Sequence, residues 1–372
     1  MRRPLLKLTA LAAGLLLAAA AHAQTTHDEI KYRDREKKRD ITARGTIREE
    51  TPAEVAYQLT SGRTERVPAL DVIDITYRMD RAVSGKVNRA VADEEKAQKI
   101  TDPEKRRAEL GKVLEAYREA LKMPELREND RAYRHVAFRT ARLLANLADE
   151  DAKRVDEAID ALKQFNKDHG LGWQVSQAYR LLGRLQAGKG DLKGARATYE
   201  ELAGRVDVPD VVRQEADMLL VRALMAANDL PGAEKKLKGM SLRPVPKEQS
   251  ARLQAYLAAC QAATDLPGAE QKLKAIITSK DQPNEVKGLA ANLLADCYLR
   301  AKRPEDAFWQ YLWVDVVYNQ DREEHAKALY QLAKLFEQHK KQPQRAQACR
   351  DRLLTDKQFA GLEYQRLAAK AK

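Results

Sequence analysis

The apolar positions of the chain follow two rhythms. From Asp28 to about Arg78, short β-branched stretches read EIKYRD, DITARGTIREE, EVAYQLT, RTERVPAL and VIDITYR, divided by turn signals such as REKK, TP and SGR. Ile41, Ala43, Gly45 and Ile47 alternate with Thr42, Arg44 and Thr46, the period of a half-buried strand. Five such strands predict a small SH3-like or Sm-like barrel, with Gly45 suited to a bend at a barrel corner. Beyond residue 80 the period becomes helical, and Ala233/Leu237 and Ala269/Leu273 each stand four apart on one face.

The helical part repeats itself. Asn228–Met240 reads NDLPGAEKKLKGM and Thr264–Ile276 reads TDLPGAEQKLKAI, identical at nine of 13 positions and offset by 36 residues. An amphipathic run precedes each copy and another follows it, so the unit is helix, tight turn, helix. Pro supplies a fixed φ there, and Gly tolerates a strained turn. Looser copies begin at Ala137, Ala178, Ala291 and Ala328. The small residue near the start of the second helix is Ala158, Ala195, Ala233, Ala269, Ala307 and Ala346, at intervals of 37, 38, 36, 38 and 39. One helix pair cannot bury its apolar face alone, so stacking of several pairs must create the core. The phrase DLPGAE is therefore a packing and turn motif rather than a catalytic one.

Leu182-Gly183, Gly190-Asp191, Ala195 and Tyr199 carry a family likeness. At this spacing they resemble the tetratricopeptide repeat, over roughly residues 130–355, although the period exceeds that family's length of about 34. The resemblance implies a mainly α chain: a TPR-like α-solenoid of about six to seven helix pairs behind the small β-domain. The expected organisation is a signal peptide at 1–23, the β-rich domain at 24–80 and capping helices with a linking region at 81–130. TPR-like repeats at 131–356 and a C-terminal capping helix or frayed tail at 357–372 complete it. The charge run DPEKRR reads as a solvated helix start. A small β-domain ahead of such repeats is similar to the arrangement in exported bacterial TPR proteins.

Composition adds a compartment. Arg2, Arg3 and Lys7 precede an apolar run from Leu8 to Ala21, and Ala21-His22-Ala23 suits a signal peptidase. This Sec-type signal predicts cleavage after Ala23 and a periplasmic or secreted protein, with no transmembrane segment afterwards. The run is shorter than the roughly 20 residues of a membrane span. The chain carries a formal charge of +12, three charges of which lie in the signal, favouring acidic partners. Charged residues make up 33% of the chain, so a mixed solvated surface shares that credit. Three cysteines, Cys260, Cys297 and Cys349, fall in apolar helical register and read as core residues. A Cys260–Cys297 bridge is the alternative.

No HExxH, CxxC, GxSxG, P-loop or GxGxxG occurs, so neither a metal nor a cofactor is expected, and the chain is not expected to be an enzyme. Glu323-Glu324-His325 is expected to cap a helix from about Glu324 to Gln338. Trp173, Trp309 and Trp313 are expected to pack helix faces. For Trp309 and Trp313, near Tyr311 and Tyr318, an exposed aromatic patch is the alternative. The TPR resemblance implies that first helices line a concave groove. Counting back from the crossing alanines puts Arg142, Arg184, Arg222, Ala258, Asp296 and Lys334 in one row there, with Arg180 and Tyr330 a turn earlier. Such a groove would grip carboxylates, with solvation of an exposed face as the alternative. The expected function is an exported scaffold binding a protein or acidic peptide partner in the envelope. Peptidoglycan recognition by the β-domain is the other candidate. Nucleic acid is not expected, since basic and aromatic residues do not interleave.

Overall fold

The computed structural model describes residues 27–242, 247–359 and 361–370. The proposed signal segment lies outside them. The described chain divides into two compact units, residues 27–50 with 54–137, and residues 51–53 with 138–370.

The first unit holds five antiparallel strands: β1 (Asp28–Asp34), β2 (Arg39–Glu50), β3 (Glu54–Leu59), β4 (Thr64–Pro68) and β5 (Val72–Thr76). They are ordered β4-β3-β2-β1-β5, a meander whose last strand returns beside the first. The sheet is open, with β4 and β5 at opposite edges, so the closed barrel expected from the sequence is not formed. Gly45 stands where β2 pairs with both Asp28 of β1 and Leu59 of β3. A Cβ there would lie 2.3 Å from the Gln58 carbonyl oxygen, so a close backbone approach is what demands glycine.

The same unit continues with α1 (Arg81–Gln98), α2 (Pro103–Leu121), α3 (Pro124–Arg127) and the start of α4 (Asp130–Glu150). In DPEKRR, Asp102 caps α2 by accepting from the amides of Glu104 and Lys105, and Pro103 opens the helix. Buried Tyr117 of α2 donates to Glu94 of α1 at 2.7 Å, so neither polar group is stranded. The Arg131 guanidinium donates to the carbonyls of Ile47 and Arg48 at 2.5 and 2.7 Å. It thereby serves β2 where a register shift between Ile47 and Glu49 breaks the ladder.

The second unit takes up α4 from Phe138 and stacks helix pairs. These helices are α5 (Val155–Asp168), α6 (Val175–Lys189), α7 (Leu192–Gly204), α8 (Asp210–Ala226), α9 (Leu230–Ser241), α10 (Lys247–Gln261) and α11 (Leu266–Thr278). After them come α12 (Asn284–Arg300), α13 (Pro304–Val316), α14 (Arg322–Gln338), α15 (Pro343–Thr355) and α16 (Glu363–Lys370). Six pairs result, α4/α5 to α14/α15, and the first helices α10, α12 and α14 lie against one another in one layer. The fold is thus α-solenoid-like, TPR-like in general terms. Ala158, Ala195, Ala233, Ala269, Ala307 and Ala346 are all buried in second helices. A Cβ on Gly183 would come within 2.4 Å of the Tyr199 ring, which fills the seam instead.

The repeated phrase has a local cause. Asp191, Asp229 and Asp265 cap α7, α9 and α11, each accepting from the amide of the glycine three residues on. A Cβ on Gly194, Gly232 or Gly268 would collide with the capping carboxylate. Their role is clearance for the cap, whereas the sequence had suggested a strained turn. The left-handed residues fall just before, at Gly190 (φ 90°) and Asn228 (φ 59°), and in later repeats at Lys302 (φ 58°) and Lys341 (φ 56°). A Cβ opposes that conformation, so Lys302→Gly is expected to stabilise the helical unit by about 0.5–1 kcal/mol. A lower urea midpoint for the variant would refute this.

Candidate interaction site

The inner layer of first helices carries a lane of charge that closes on itself. At its start, the Asp149 carboxylate near the end of α4 takes Arg184 of α6 at 3.0 Å and Arg366 of α16 at 2.5 Å. The latter partner is 217 residues away. Burial pushes the Asp149 pKa up, and the two guanidiniums pull against it. Further along, Arg222 of α8 meets Glu323 of α14 at 3.3 Å, spanning 101 residues. The array therefore curls until non-neighbouring repeats touch, beyond the strictly nearest-neighbour contacts of a straight stack.

Deeper in the lane, Asp296 of α12 accepts from the Tyr311 hydroxyl and pairs with Lys327 of α14, both at 2.5 Å. Burial opposes the Lys327 charge, yet Asp296 and its neighbours hold its pKa above that of an ordinary lysine. Buried Asn292 donates to the Glu324 backbone carbonyl at 2.9 Å and to its side-chain oxygen at 2.7 Å. These cross-links fix the inner layer through specific polar pairs.

Each residue of the expected row has a place. Arg142 is half-buried, its guanidinium 5.9 Å from the centre of the Phe138 ring. Arg180 pairs with Glu215 at 2.9 Å. Arg184 and Arg222 have the carboxylates just named, and Ala258 is buried in the core. The Tyr330 ring packs 5.6 Å from that of Tyr364 of α16, and exposed Lys334 lies 5.6 Å over Tyr330. The charge of Arg180, Arg184 and Arg222 is thus matched from within the chain. Sequence reasoning missed Asp149, Tyr364 and Arg366. The available signal was the spacing of Tyr364, Leu367 and Ala368, which marks one apolar face on a segment read only as a cap or tail.

Other expected features moved. Asp321 caps α14 by accepting from the amides of Glu323 and Glu324, so the helix starts at Arg322. His325 points inward, 2.8 Å from Asp315, with its ring against Phe359. It is a buried core histidine, and capping falls to Asp321. Trp173 is buried, but Trp309 and Trp313 are 51% and 52% exposed and, with Val316, form the outer face of α13. The core expectation fails for these two because a half-exposed helix shows the same spacing as a buried one. Cys260, Cys297 and Cys349 are free thiols, and burial pushes each pKa up to about 11. They are poor nucleophiles at neutral pH. Among the described residues, no group of three or more His, Cys, Asp or Glu side chains is placed to hold a metal ion. Among the same residues, no helix is long and apolar enough to cross a membrane.

No protein-family model matches the sequence, and no curated protein matches it. Among solved structures, the apo form of RapI is similar with 15% identity and a TM-score of 0.36, over 74% of this chain and 77% of that one. The TPR domain of P58(IPK) is similar with 14% identity and a TM-score of 0.27, over 78% and 80%.

Proposed function

We propose that this protein is a non-catalytic scaffold that presents its helical repeats to a protein partner in the bacterial cell envelope after export. The observation that carries this reading is the inner lane itself. Stacked first helices form a polar, ion-paired surface, and a short polypeptide segment, α16, is already held on it by Asp149 and Tyr330. A surface that selects a helix by charge and aromatic contact supports recognition of protein. The cationic, apolar and small-residue segments before Gln24 support export.

The test is retention from envelope extract at low and moderate salt, using the chain from Gln24 and an Arg184→Glu/Arg222→Glu variant of matched helicity. One protein retained by the first and lost by the second is the expected result. Equal retention would move the interaction to the sheet or to the Trp309/Trp313 face. Retention of nothing, with sedimentation on purified peptidoglycan, would replace the scaffold reading with wall binding.

A further inference from the structure

Helix α16 is a short occupant of the lane, packed on α14 and α15 through Tyr364 and Ala368. It has eight residues, about two turns, well short of the length at which a helix persists by itself. It follows Gly361, whose φ of 75° only glycine adopts without cost. Tyr364, Arg366 and Leu367 are half-buried, and Ala368 is fully buried. Arg366 ties it to Asp149 of α4, a carboxylate that Arg184 also holds.

The fit is also incomplete. Beside α16 lies a cleft of about 210 Å³, walled by Ala148, Val155 and Leu185 among the charged Asp149, Glu150 and Arg184, and bordered on the α16 side by Arg366 and Ala369. Arg366 and Ala369 stand three apart on one helical face, so the residue pointing past Arg366 toward this space is an alanine. Where Ala148, Val155 and Leu185 form its wall, unfilled space forfeits contacts that a side chain larger than alanine would make.

We propose that the groove between α4, α6 and α14 is a binding site for an amphipathic helix bearing an arginine and, three residues later, a bulky apolar side chain, and that α16 is its built-in, lower-affinity occupant. The arginine takes the place of Arg366 on Asp149. The apolar residue fills the cleft that Ala369 leaves, and an aromatic two residues before the arginine packs against Tyr330 as Tyr364 does. This deepens the scaffold reading and rests on it by naming the chemistry of the partner.

The test uses the full chain and two labelled synthetic peptides, residues 361–370 as they stand and the same with Ala369→Leu. The receptor is the chain carrying Arg366→Glu, which sets like charge against Asp149 and is expected to loosen α16. The leucine peptide is expected to bind this receptor at least tenfold more tightly than the native peptide and at least tenfold more tightly than it binds the wild-type chain. Adding Asp149→Asn to the receptor should remove most of that affinity. No binding by a folded Arg366→Glu chain, or equal binding of both peptides, would overturn the proposal. Hydrogen exchange on the wild-type chain guards against a variant that does not fold. Amides of 363–370 should exchange by a local opening far faster than those of α14, and equal protection would make α16 a fixed cap and end the proposal. If the chain keeps a partner from extract but ignores both peptides, this inference falls and the scaffold reading stands.

Discussion

Asp296→Asn is expected to lower the stability of the helical unit by about 3–5 kcal/mol, the largest loss among single changes in the lane. The carboxylate serves two groups at once, the Lys327 ammonium and the hydroxyl of fully buried Tyr311, each at 2.5 Å. Lys327 is only 17% exposed, so removing the opposite charge leaves an ammonium with little water to replace it. The amide can still accept from Tyr311, which isolates the charge effect from the hydrogen bond. Asp296→Asn/Lys327→Met should therefore recover most of the loss, because a buried pair replaced as a pair is often nearly neutral. Urea titration followed by circular dichroism reads both variants. A cost below about 1 kcal/mol for the single change would mean that water reaches Lys327 and that the lane is open there.

The sequence carried the repeat and not its closure. Ala158 to Ala346 and the Gly183/Tyr199 contact were legible because they encode local crossings, where one helix lies close to the next and only a small residue fits. The Asp-Leu-x-Gly phrase was legible as punctuation, but its glycine was misread, since the need for clearance beside a capping carboxylate becomes visible only when the cap is formed. The five strands were legible from alternation, whereas closure of the sheet depends on whether edges separated along the chain meet, and alternation says nothing about that. The same reason hid the site. Arg366 and Asp149 are brought together by accumulated superhelical curvature across six repeats, and no periodic pattern encodes a sum of small rotations. Trp309 and Trp313 show the converse, a correct helical stripe whose face was assigned to the wrong side.

Phe359→Ala should cost about 3–5 kcal/mol locally, and its pattern would reveal how far the array behaves as a chain of neighbours. The ring follows α15 in the chain, is fully buried against α14 and lies 5.1 Å from the ring of His325, whose imidazole is tied to Asp315 beside Arg352. Removing it opens a cavity under the junction that aims α16 into the lane. In a one-dimensional stack the loss would be confined to the last repeats, because each pair is stabilised mainly by its neighbours. The closing contacts Arg366–Asp149 and Arg222–Glu323 add a route back to α4 and α8, but the Arg222 pair is partly exposed and such pairs contribute little. Hydrogen exchange should then show lost protection across α14, α15 and α16, with α6 to α9 nearly unchanged. Loss spread evenly through the helical unit would instead mean that the lane's ion pairs bind it into one cooperative body. In that case α16 could not leave the groove without weakening the repeats that hold it.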